Sequence, residues 1–278
     1  MIDIIIPIYD GYRETVECIR SVLNVETSTE YRLIIVNDKS PNKDIGDFLL
    51  EIKNPKIIIL NNEENIGFVG SVNKGIQFSN NDVILLNSDT IVTDYWIDKM
   101  EKAAYSDERV GTVTALTNRG TIASVPYFNQ DNEIPEGYTI ASFGKLIEEI
   151  SLNLYPTIPT AVGHALFIKR RVIEEVGLFD QETFGMGYGE EEDFSCRVIK
   201  KGYKNILCDN TFVYHWGSTS FGESKKKYIR ENKKRLIKKY WWHPINVKIF
   251  LLFNKKVRKV CDNIQKEIKR RDGCRVPN

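Results

Sequence analysis

Three short stretches of the chain carry side chains that could do chemistry. The apolar run "DVILL" ends at Asn87-Ser88-Asp89-Thr90, and His215 ends a second apolar run, "FVYH". Four consecutive acids, residues 190–193, follow the glycine-rich stretch "GMGYG". Carboxylate oxygens bind Mg²⁺ and Mn²⁺, and imidazole suits Mn²⁺ better than Mg²⁺. Crowded carboxylates raise one another's pKa, which suits a general base that works near neutral pH.

The stretch that contains Asp89 follows the last of four apolar runs, which alternate with helical patterns. "IDIIIPIY", "YRLIIVND", "PKIIILNN" and "DVILLNSDT" are near-continuous apolar runs, separated by helix-like segments near residues 14–23, 47–52 and 67–78. Such strands indicate a parallel sheet covered on both faces, because a sheet with one wet face would alternate apolar and polar residues. The pattern predicts a doubly wound α/β fold.

Polar residues follow each of these four strands: Tyr9 and Asp10, Asn37 and Asp38, Asn61 and Asn62, and Ser88 and Asp89. Doubly wound sheets bind ligands outside the carboxyl ends of their strands. The sequence therefore predicts an active-site rim at this edge. The motifs GxGxxG and GxxxxGK[ST] do not occur, which argues against a dinucleotide-binding fold and a P-loop.

The rest of the body has a weaker pattern. Residues 117–160 are rich in turn formers and predict a long irregular binding loop. "GHALFIKRRVIEEVGLFD" predicts a strand and a short helix, the acidic run opens another helix, and "NILCDNTFVYHWGSTSF" predicts a final strand pair. At about 100° per residue, a helix that buries Phe194 and Val198 turns Glu190 and Glu191 into the cleft and Glu192 outward.

The charges divide the chain at residue 223. Residues 224–278 contain 19 Lys and Arg against 4 Asp and Glu, whereas residues 1–223 contain 20 against 34. We expect an acidic domain, 1–223, with a basic helical C-terminal extension, 224–278. The extension could dock on anionic lipid, with Trp241 and Trp242 at the headgroup level, or it could wrap the acidic domain. It has no recognised nucleic-acid-binding module, which argues against a nucleic-acid partner.

The five cysteines show neither a CxxC pair nor regular spacing, so reduced thiols in the cytoplasm are expected. The first residues lack the pattern of a signal peptide, and the apolar run 247–253 is too short to span a bilayer. The sequence predicts a cytoplasmic protein that is peripheral on the inner face of the membrane.

Seven motifs over residues 2–222 carry a resemblance to a known family. They are "IIIPIYDGY", "LIIVNDKSPN", "NIGFVGSVNKGI", "LLNSDT", "GHALFIKR", "GYGEEEDFSCRVIKKGY" and "FVYHWGSTSF". In this order they resemble family 2 glycosyltransferases with the GT-A fold. The resemblance implies an inverting enzyme that moves a sugar from a nucleotide diphosphate to an acceptor hydroxyl. We expect the acceptor to be a glycan or a lipid-linked saccharide in surface polysaccharide synthesis.

The resemblance also implies a divalent cation, Mn²⁺ or Mg²⁺. Asp89 matches the last residue of the family's DxD motif, although Asn87 replaces the first, and His215 matches a second metal ligand. His164 stands where the family commonly has glycine, near the acceptor side. The alternative for Ser88 or Asp89 is the N-cap of the following helix.

The acidic run matches the motif that holds the family's catalytic base. The match favours Glu191, with Glu190 and Asp193 as the other candidates. Asp193 could instead pair with Arg197 four residues later, which is a structural role.

The family's nucleotide site implies further roles. Asp38 matches a residue that accepts a hydrogen bond from a pyrimidine N3, which favours UDP or dTDP over GDP. Tyr9 could pack on the base, and the remaining candidates are Pro7, Asp10, Asn65, Gly67, Phe68, Asn73, Asn87 and Ser88. Asn73 could instead satisfy a helix.

Two rival functions stay open at this point. Loss of the first Asp of the metal motif could leave a non-catalytic nucleotide-sugar binder or a membrane scaffold. A pyrophosphorylase-like nucleotidyltransferase is opposed by the missing glycine-rich loop.

Overall fold

The computed structural model describes residues 1–217 and 223–273, with the side chains of residues 223–228 and 273 left undescribed. Along these ranges the elements are β1 (Ile2–Ile8), α1 (Tyr12–Asn24), β2 (Tyr31–Asn37), α2 (Lys43–Glu51), β3 (Ile57–Asn61), α3 (Gly67–Phe78), β4 (Asp82–Leu86), β5 (Thr90–Ile91), α4 (Trp96–Ala104), β6 (Val110–Leu116), a 3₁₀ turn (Thr121–Ala123), α5 (Ile140–Ile150), β7 (Thr157–Ile158), β8 (Ala165–Ile168), α6 (Arg170–Val176), α7 (Gln181–Phe184), α8 (Glu190–Lys200), β9 (Lys204–Phe212), β10 (Tyr214–His215), α9 (Glu223–Lys239), α10 (His243–Phe253) and α11 (Lys255–Gly273).

The central sheet has the order β3-β2-β1-β4-β8-β6-β9-β7. Strands β3, β2, β1 and β4 are parallel neighbours. Strand β8 runs antiparallel to β4 and β6, β6 is parallel to β9, and β7 is antiparallel to β9. The prediction of a doubly wound, mostly parallel sheet flanked by helices is confirmed.

Both faces of the sheet are covered, which explains the continuous apolar strands. Ile4 and Ile6 of β1 belong to a core cluster that includes Trp96 of α4. Ile5, between them, points to the opposite face and joins a cluster with Val72 of α3. Because successive side chains of a strand point to opposite faces, a strand buried on both sides needs an apolar residue at every position.

The irregular loop predicted for residues 117–160 is wrong for residues 140–150. These form α5, whose N-terminus is a capping box between Thr139 and Ser142. Phe143, Leu146 and Ile147 lie on one face of the helix and are buried in a third core cluster. Their spacing of three and four residues is the helical signal that the turn formers before it obscured.

The C-terminal extension is helical, as predicted, and it packs on the domain. Leu236 and Tyr240 of α9 join the cluster that contains α3, and Val257 and Ile264 of α11 join the cluster that contains α5. Among the described helices, none is long and apolar enough to cross a membrane. The described cysteines Cys18, Cys196, Cys208 and Cys261 are buried free thiols, and Cys274 lies outside the described residues.

Candidate active site

A two-stranded ribbon brings Asp89 and His215 together. Asp89 directly precedes β5, and β10 pairs antiparallel with β5 so that His215 lies opposite Thr90. The backbone N–H of Trp216 donates to the Asp89 carbonyl at 3.0 Å. As a result, the Asp89 Oδ1 and His215 Nε2 atoms lie 3.2 Å apart.

The ring of His215 is held with Nε2 toward Asp89. Its Nδ1 lies 2.8 Å from the Arg119 carbonyl oxygen, which can only accept, so Nδ1 carries the proton. Asn118 accepts from the His215 backbone N–H at 2.8 Å and donates to the His215 carbonyl at 3.1 Å. Burial lowers the pKa of His215, but hydrogen bonding and charge from Asp89 outweigh it and raise the pKa above its ordinary value.

Sequence reasoning missed Asn118 and Arg119. They follow β6, which runs parallel to β4 because β8 is antiparallel to both. The carboxyl end of β6 therefore lies at the same edge as that of β4. Sequence analysis looked for polar residues at the carboxyl ends of the first four strands. The same search would have found Asn118 and Arg119 if the strand β6 had been recognised.

The Asp–His pair fits a cation that the substrate helps to hold. No group of three or more His, Cys, Asp or Glu side chains within the described ranges could hold a metal by itself. A carboxylate oxygen and an imidazole nitrogen whose partner nitrogen is already fixed make a suitable protein contribution for Mn²⁺. Oxygens of a bound diphosphate would have to supply the remaining ligands.

The alternative role of Ser88 or Asp89 as a helix N-cap is wrong. Helix α4 begins at Trp96, and its N-cap is Tyr95, which makes no side-chain cap hydrogen bond. Asn87 and Ser88 are partly exposed beside Asp89, and the Asn87 carbonyl accepts from Thr90 Oγ1 at 2.7 Å. This bond closes the tight turn between β4 and β5.

Glu191 lies against Gly163, which is followed by His164 and then by β8. An ideal Cβ built on Gly163 would lie 1.9 Å from Glu191 Oε1, so only glycine leaves room for this carboxylate. Burial and the neighbouring carboxylates of Glu190 and Glu192 raise the pKa of Glu191 well above its ordinary value, against a hydrogen bond from the Gly163 backbone.

The flanking glutamates differ in their surroundings. Glu190 is buried, and none of the described residues hydrogen-bonds to its Oε2. Burial and, to a lesser extent, the charge of Glu192 raise the pKa of Glu190 to about 7. Burial also raises the pKa of Glu192, and Lys233 of α9 opposes that shift. Glu192 thus points outward, as predicted, but it faces α9 and is only partly exposed.

Asp193 is engaged in an ion network, so its contacts do not suit a catalytic base. Its Oδ2 accepts from Arg197 Nε at 2.8 Å, as the structural alternative predicted. Its Oδ1 accepts from the Tyr240 hydroxyl at 3.0 Å and lies 2.5 Å from Lys239 Nζ. The side chain is fully buried. Glu191 and Glu190 therefore remain as candidates for the base.

Helix α9 also holds the segment that leads into α8. The Asn232 amide donates to the Gly187 carbonyl at 2.9 Å, Arg235 donates to the Thr183 carbonyl at 2.7 Å, and Lys239 pairs with Asp180 at 2.7 Å. The basic extension therefore contributes directly to the support of the acidic run. These contacts join residues far apart in sequence, and no local sequence pattern predicts them.

Asp38 has internal partners that the nucleotide prediction did not include. Its Oδ1 accepts from Asn62 Nδ2 and from the Ile66 backbone, both at 2.8 Å, and its Oδ2 accepts from the Gly67 backbone at 2.9 Å. The residue is 3% exposed. Asp38 thus anchors the loop before α3, and one acceptor position on Oδ2 remains for a ligand.

Two other nucleotide candidates tie α3 to the segment before α8. Asn73 donates to the Phe179 carbonyl at 2.8 Å and accepts from the Phe179 N–H at 3.0 Å, so its amide holds a loop residue and does not satisfy a helix, which the alternative predicted. Gly67 has a φ of +80°, and a Cβ there would lie 2.8 Å from Met186 Sδ. The residue that approaches Gly67 closely, and so requires glycine there, is Met186 of the same chain. The side chain of Asn65 accepts from the Gly67 N–H at 3.0 Å.

The remaining candidates lie at the sheet edge. Tyr9 and Asp10 are exposed, and Asp10 accepts from the Gly11 N–H at 2.7 Å. Pro7 is partly buried opposite Val36 in the parallel pairing of β1 and β2. Phe68 is partly buried against the core. Residues 218–221 of the last predicted motif lie outside the described residues.

His164 lies between the Asp–His pair and the residue that contacts Glu191. Its ring stacks on that of His215, with centroids 5.9 Å apart and planes 24° apart. It is fully buried, and burial together with the charge of His215 lowers its pKa well below the ordinary value, so it is a neutral support. Since Gly163 contacts Glu191 and His164 contacts His215, two consecutive residues connect the acidic run with the Asp–His pair.

The mostly parallel sheet, with polar residues at its carboxyl edge, defines the class of fold as GT-A. Two solved structures share the fold. One is the crystal structure of GalNAc-T7 with UDP, GalNAc and Mn²⁺, with a TM-score of 0.62 and 16% identity over 95% of this chain and 54% of that chain. The other is the mannosyltransferase PcManGT from Pyrobaculum calidifontis in complex with GDP-Man and Mn²⁺, with a TM-score of 0.59 and 14% identity over 95% of this chain and 73% of that chain.

The family model described as "Glycosyl transferase family 2" matches residues 3–177, and the chain belongs to this family. The resemblance drawn from the seven motifs is confirmed. The chain spans about half the length of the GalNAc-T7 chain. None of the curated proteins matches it.

Proposed function

We propose that this protein is a metal-dependent inverting glycosyltransferase. It transfers a sugar from a UDP- or dTDP-linked donor to a hydroxyl of a glycan or lipid-linked saccharide, on the cytoplasmic side of a membrane, during surface polysaccharide synthesis. One observation carries the proposal: a glutamate of raised pKa and an Asp–His pair converge on the dipeptide Gly163-His164.

The roles follow from the chemistry of the groups. Asp89 and His215 would hold Mn²⁺ or Mg²⁺, and a bound cation would stabilise the charge on the departing diphosphate. Glu191 accepts the proton of the acceptor hydroxyl while that oxygen bonds to the anomeric carbon and the bond from that carbon to the diphosphate oxygen breaks. Attack from the side opposite the diphosphate inverts the anomeric configuration. The raised pKa of Glu191 makes it a stronger base once it is ionised.

The preference for a pyrimidine donor is supported by the free acceptor position on Asp38 and by the exposed Tyr9 at the same edge. The two solved structures contain UDP in one case and GDP-Man in the other. A donor panel must therefore include guanosine donors.

The test measures release of nucleoside diphosphate from UDP-, dTDP- and GDP-sugars with Mn²⁺ and acceptor extract. Glu191→Gln should abolish release and leave donor affinity nearly intact, because the amide keeps the shape but cannot accept the proton. Glu174→Gln is the matched control and should retain activity, because Glu174 is exposed on α6 and is not part of the acidic run. Full activity of Glu191→Gln would move the base to Glu190. Absence of release from any donor would favour a nucleotide-sugar binder.

A further inference from the structure

Helix α10 presents large apolar side chains to solvent. The residues concerned, with their exposed fractions, are Ile245 (51%), Ile249 (52%), Leu252 (59%) and Phe253 (72%) on the helix and Trp241 (73%) two residues before it. Single exposed apolar residues are ordinary on a protein surface, but a cluster on one short helix marks an interaction site.

These side chains share one face of the helix. At about 100° per residue, with Ile245 at 0°, Leu252 lies at about −20°, Ile249 at about 40° and Phe253 at about 80°. Phe250 and Leu251, which pack on the core, lie on the other side of the helix. The helix is therefore fixed to the domain by one face and leaves a second apolar face, the α10 face, uncovered.

Basic residues flank the α10 face. Lys248 is exposed within the helix, and Lys255 and Lys256 are exposed directly after the C-cap residue Asn254. A symmetric dimer through this face would bring the same basic residues of two copies together, which like-charge repulsion disfavours. A surface that is apolar inside and anionic at its boundary, such as a bilayer with anionic headgroups, matches both the apolar side chains and the lysines.

Helix α10 contacts the segment that supports the Asp–His pair through the side of the helix opposite the α10 face. Phe250 contacts Phe128, with ring centroids 6.3 Å apart. The same segment of the chain supplies Asn118 and Arg119, which hold His215. Helix α10 thus lies between a membrane contacted by the α10 face and the segment that borders the Asp–His pair.

We infer that the α10 face docks the protein on the surface of an anionic bilayer, in the plane of the headgroups, and that the acceptor is a lipid-linked saccharide presented there. The choice of acceptor depends on the proposed function, whereas the docking surface does not. Trp241, two residues before the helix, suits the headgroup level.

The experiment is sedimentation of the full chain with vesicles of phosphatidylcholine, with and without phosphatidylglycerol. The variant Ile249→Gln/Leu252→Gln should bind the anionic vesicles about tenfold more weakly or worse, because two apolar side chains no longer leave water. Leu50→Gln is the matched control, since Leu50 is 83% exposed on α2 and should not contact lipid. The variants should melt at the wild-type temperature, because the replaced side chains are exposed.

Equal binding of the double variant and the wild type would overturn the inference, as would absence of wild-type binding. A wild-type dimer that the double variant dissociates, without vesicle binding, would show that a second copy covers the face and would also overturn it. Nucleoside diphosphate release by the double variant in solution should equal that of the wild type. This readout separates failure of docking from failure of the proposed transfer.

Discussion

Replacement of Gly163 by alanine should impair transfer by displacing the base. The new Cβ would lie 1.9 Å from Glu191 Oε1, whereas ordinary contacts begin near 3.4 Å. The carboxylate, or the turn that carries the methyl group, must therefore move by about 1.5 Å. The backbone of Gly163 lies outside the left-handed region, so alanine itself adds no conformational strain.

A misplacement of about 1 Å at a reacting group lowers the rate about 10²-fold. We expect kcat for nucleoside diphosphate release to fall by at least that factor, while the affinity for donor and Mn²⁺ changes little. The assay is steady-state kinetics over a range of donor concentrations. Gly46→Ala in α2 is the matched control, because its added Cβ meets no atom within 4 Å. It should leave kcat unchanged.

The result that refutes the reasoning is a Gly163→Ala enzyme with wild-type kcat. It would mean that Glu191 acts from another position or is not the base. A parallel loss of donor affinity would instead indicate a general disturbance of the site. Thermal melting of the variant separates this outcome from partial unfolding.

Three further predictions concern groups around the site. His215→Ala should weaken Mn²⁺ binding in the presence of UDP at least about tenfold by calorimetry, and unchanged affinity would place the cation elsewhere. Burial raises the pKa of Glu190 from 4.5 to about 7, so the protonated side chain stabilises the folded protein; this contribution is fully present below about pH 4.5 and is lost as the pH rises through 7. The wild type should therefore lose stability relative to Glu190→Gln between about pH 5 and pH 8 in urea titrations, and parallel curves would contradict the raised pKa. Lys239→Met should lower the free energy of unfolding by about 1–3 kcal/mol, because buried Asp193 loses one of its cationic partners, and an unchanged midpoint would show that Arg197 suffices.

The sequence predicted most of the fold because its signals are local. Each of the first four strands is apolar at nearly every position, and a polar residue follows each one, so both the parallel sheet and its functional edge could be read from short windows. Asp89 was predicted from its position at a strand end and from the family's metal motif, and His215 was predicted from the family's motifs. Their pairing depends on the β5–β10 ribbon, in which each strand has only two residues, too few for a periodic pattern.

The contacts that sequence reasoning missed are long-range. Asn73 bonds to Phe179 across 106 positions, and Tyr240 bonds to Asp193 across 47. A polar residue in a motif looks the same whether it contacts a nucleotide or a distant carbonyl, because the local sequence does not specify the partner. For this reason the sequence left Asn73 open between a nucleotide and a helix, whereas the folded chain uses its amide to join α3 to the segment before α8.

The two roles that the sequence left open for the basic extension concern different residues: α9 wraps the acidic domain, and the docking that we propose concerns α10. On α9, Leu236 and Tyr240 are buried in the domain, and Lys239 pairs with both Asp180 and Asp193, so this helix wraps the acidic body. On α10, the apolar residues of the outer face have no cover within the described part of the chain. Deleting the whole extension would therefore expose core and disturb the acidic run at once. Only substitutions confined to the outer face of α10 separate support of the catalytic helix from docking on a surface.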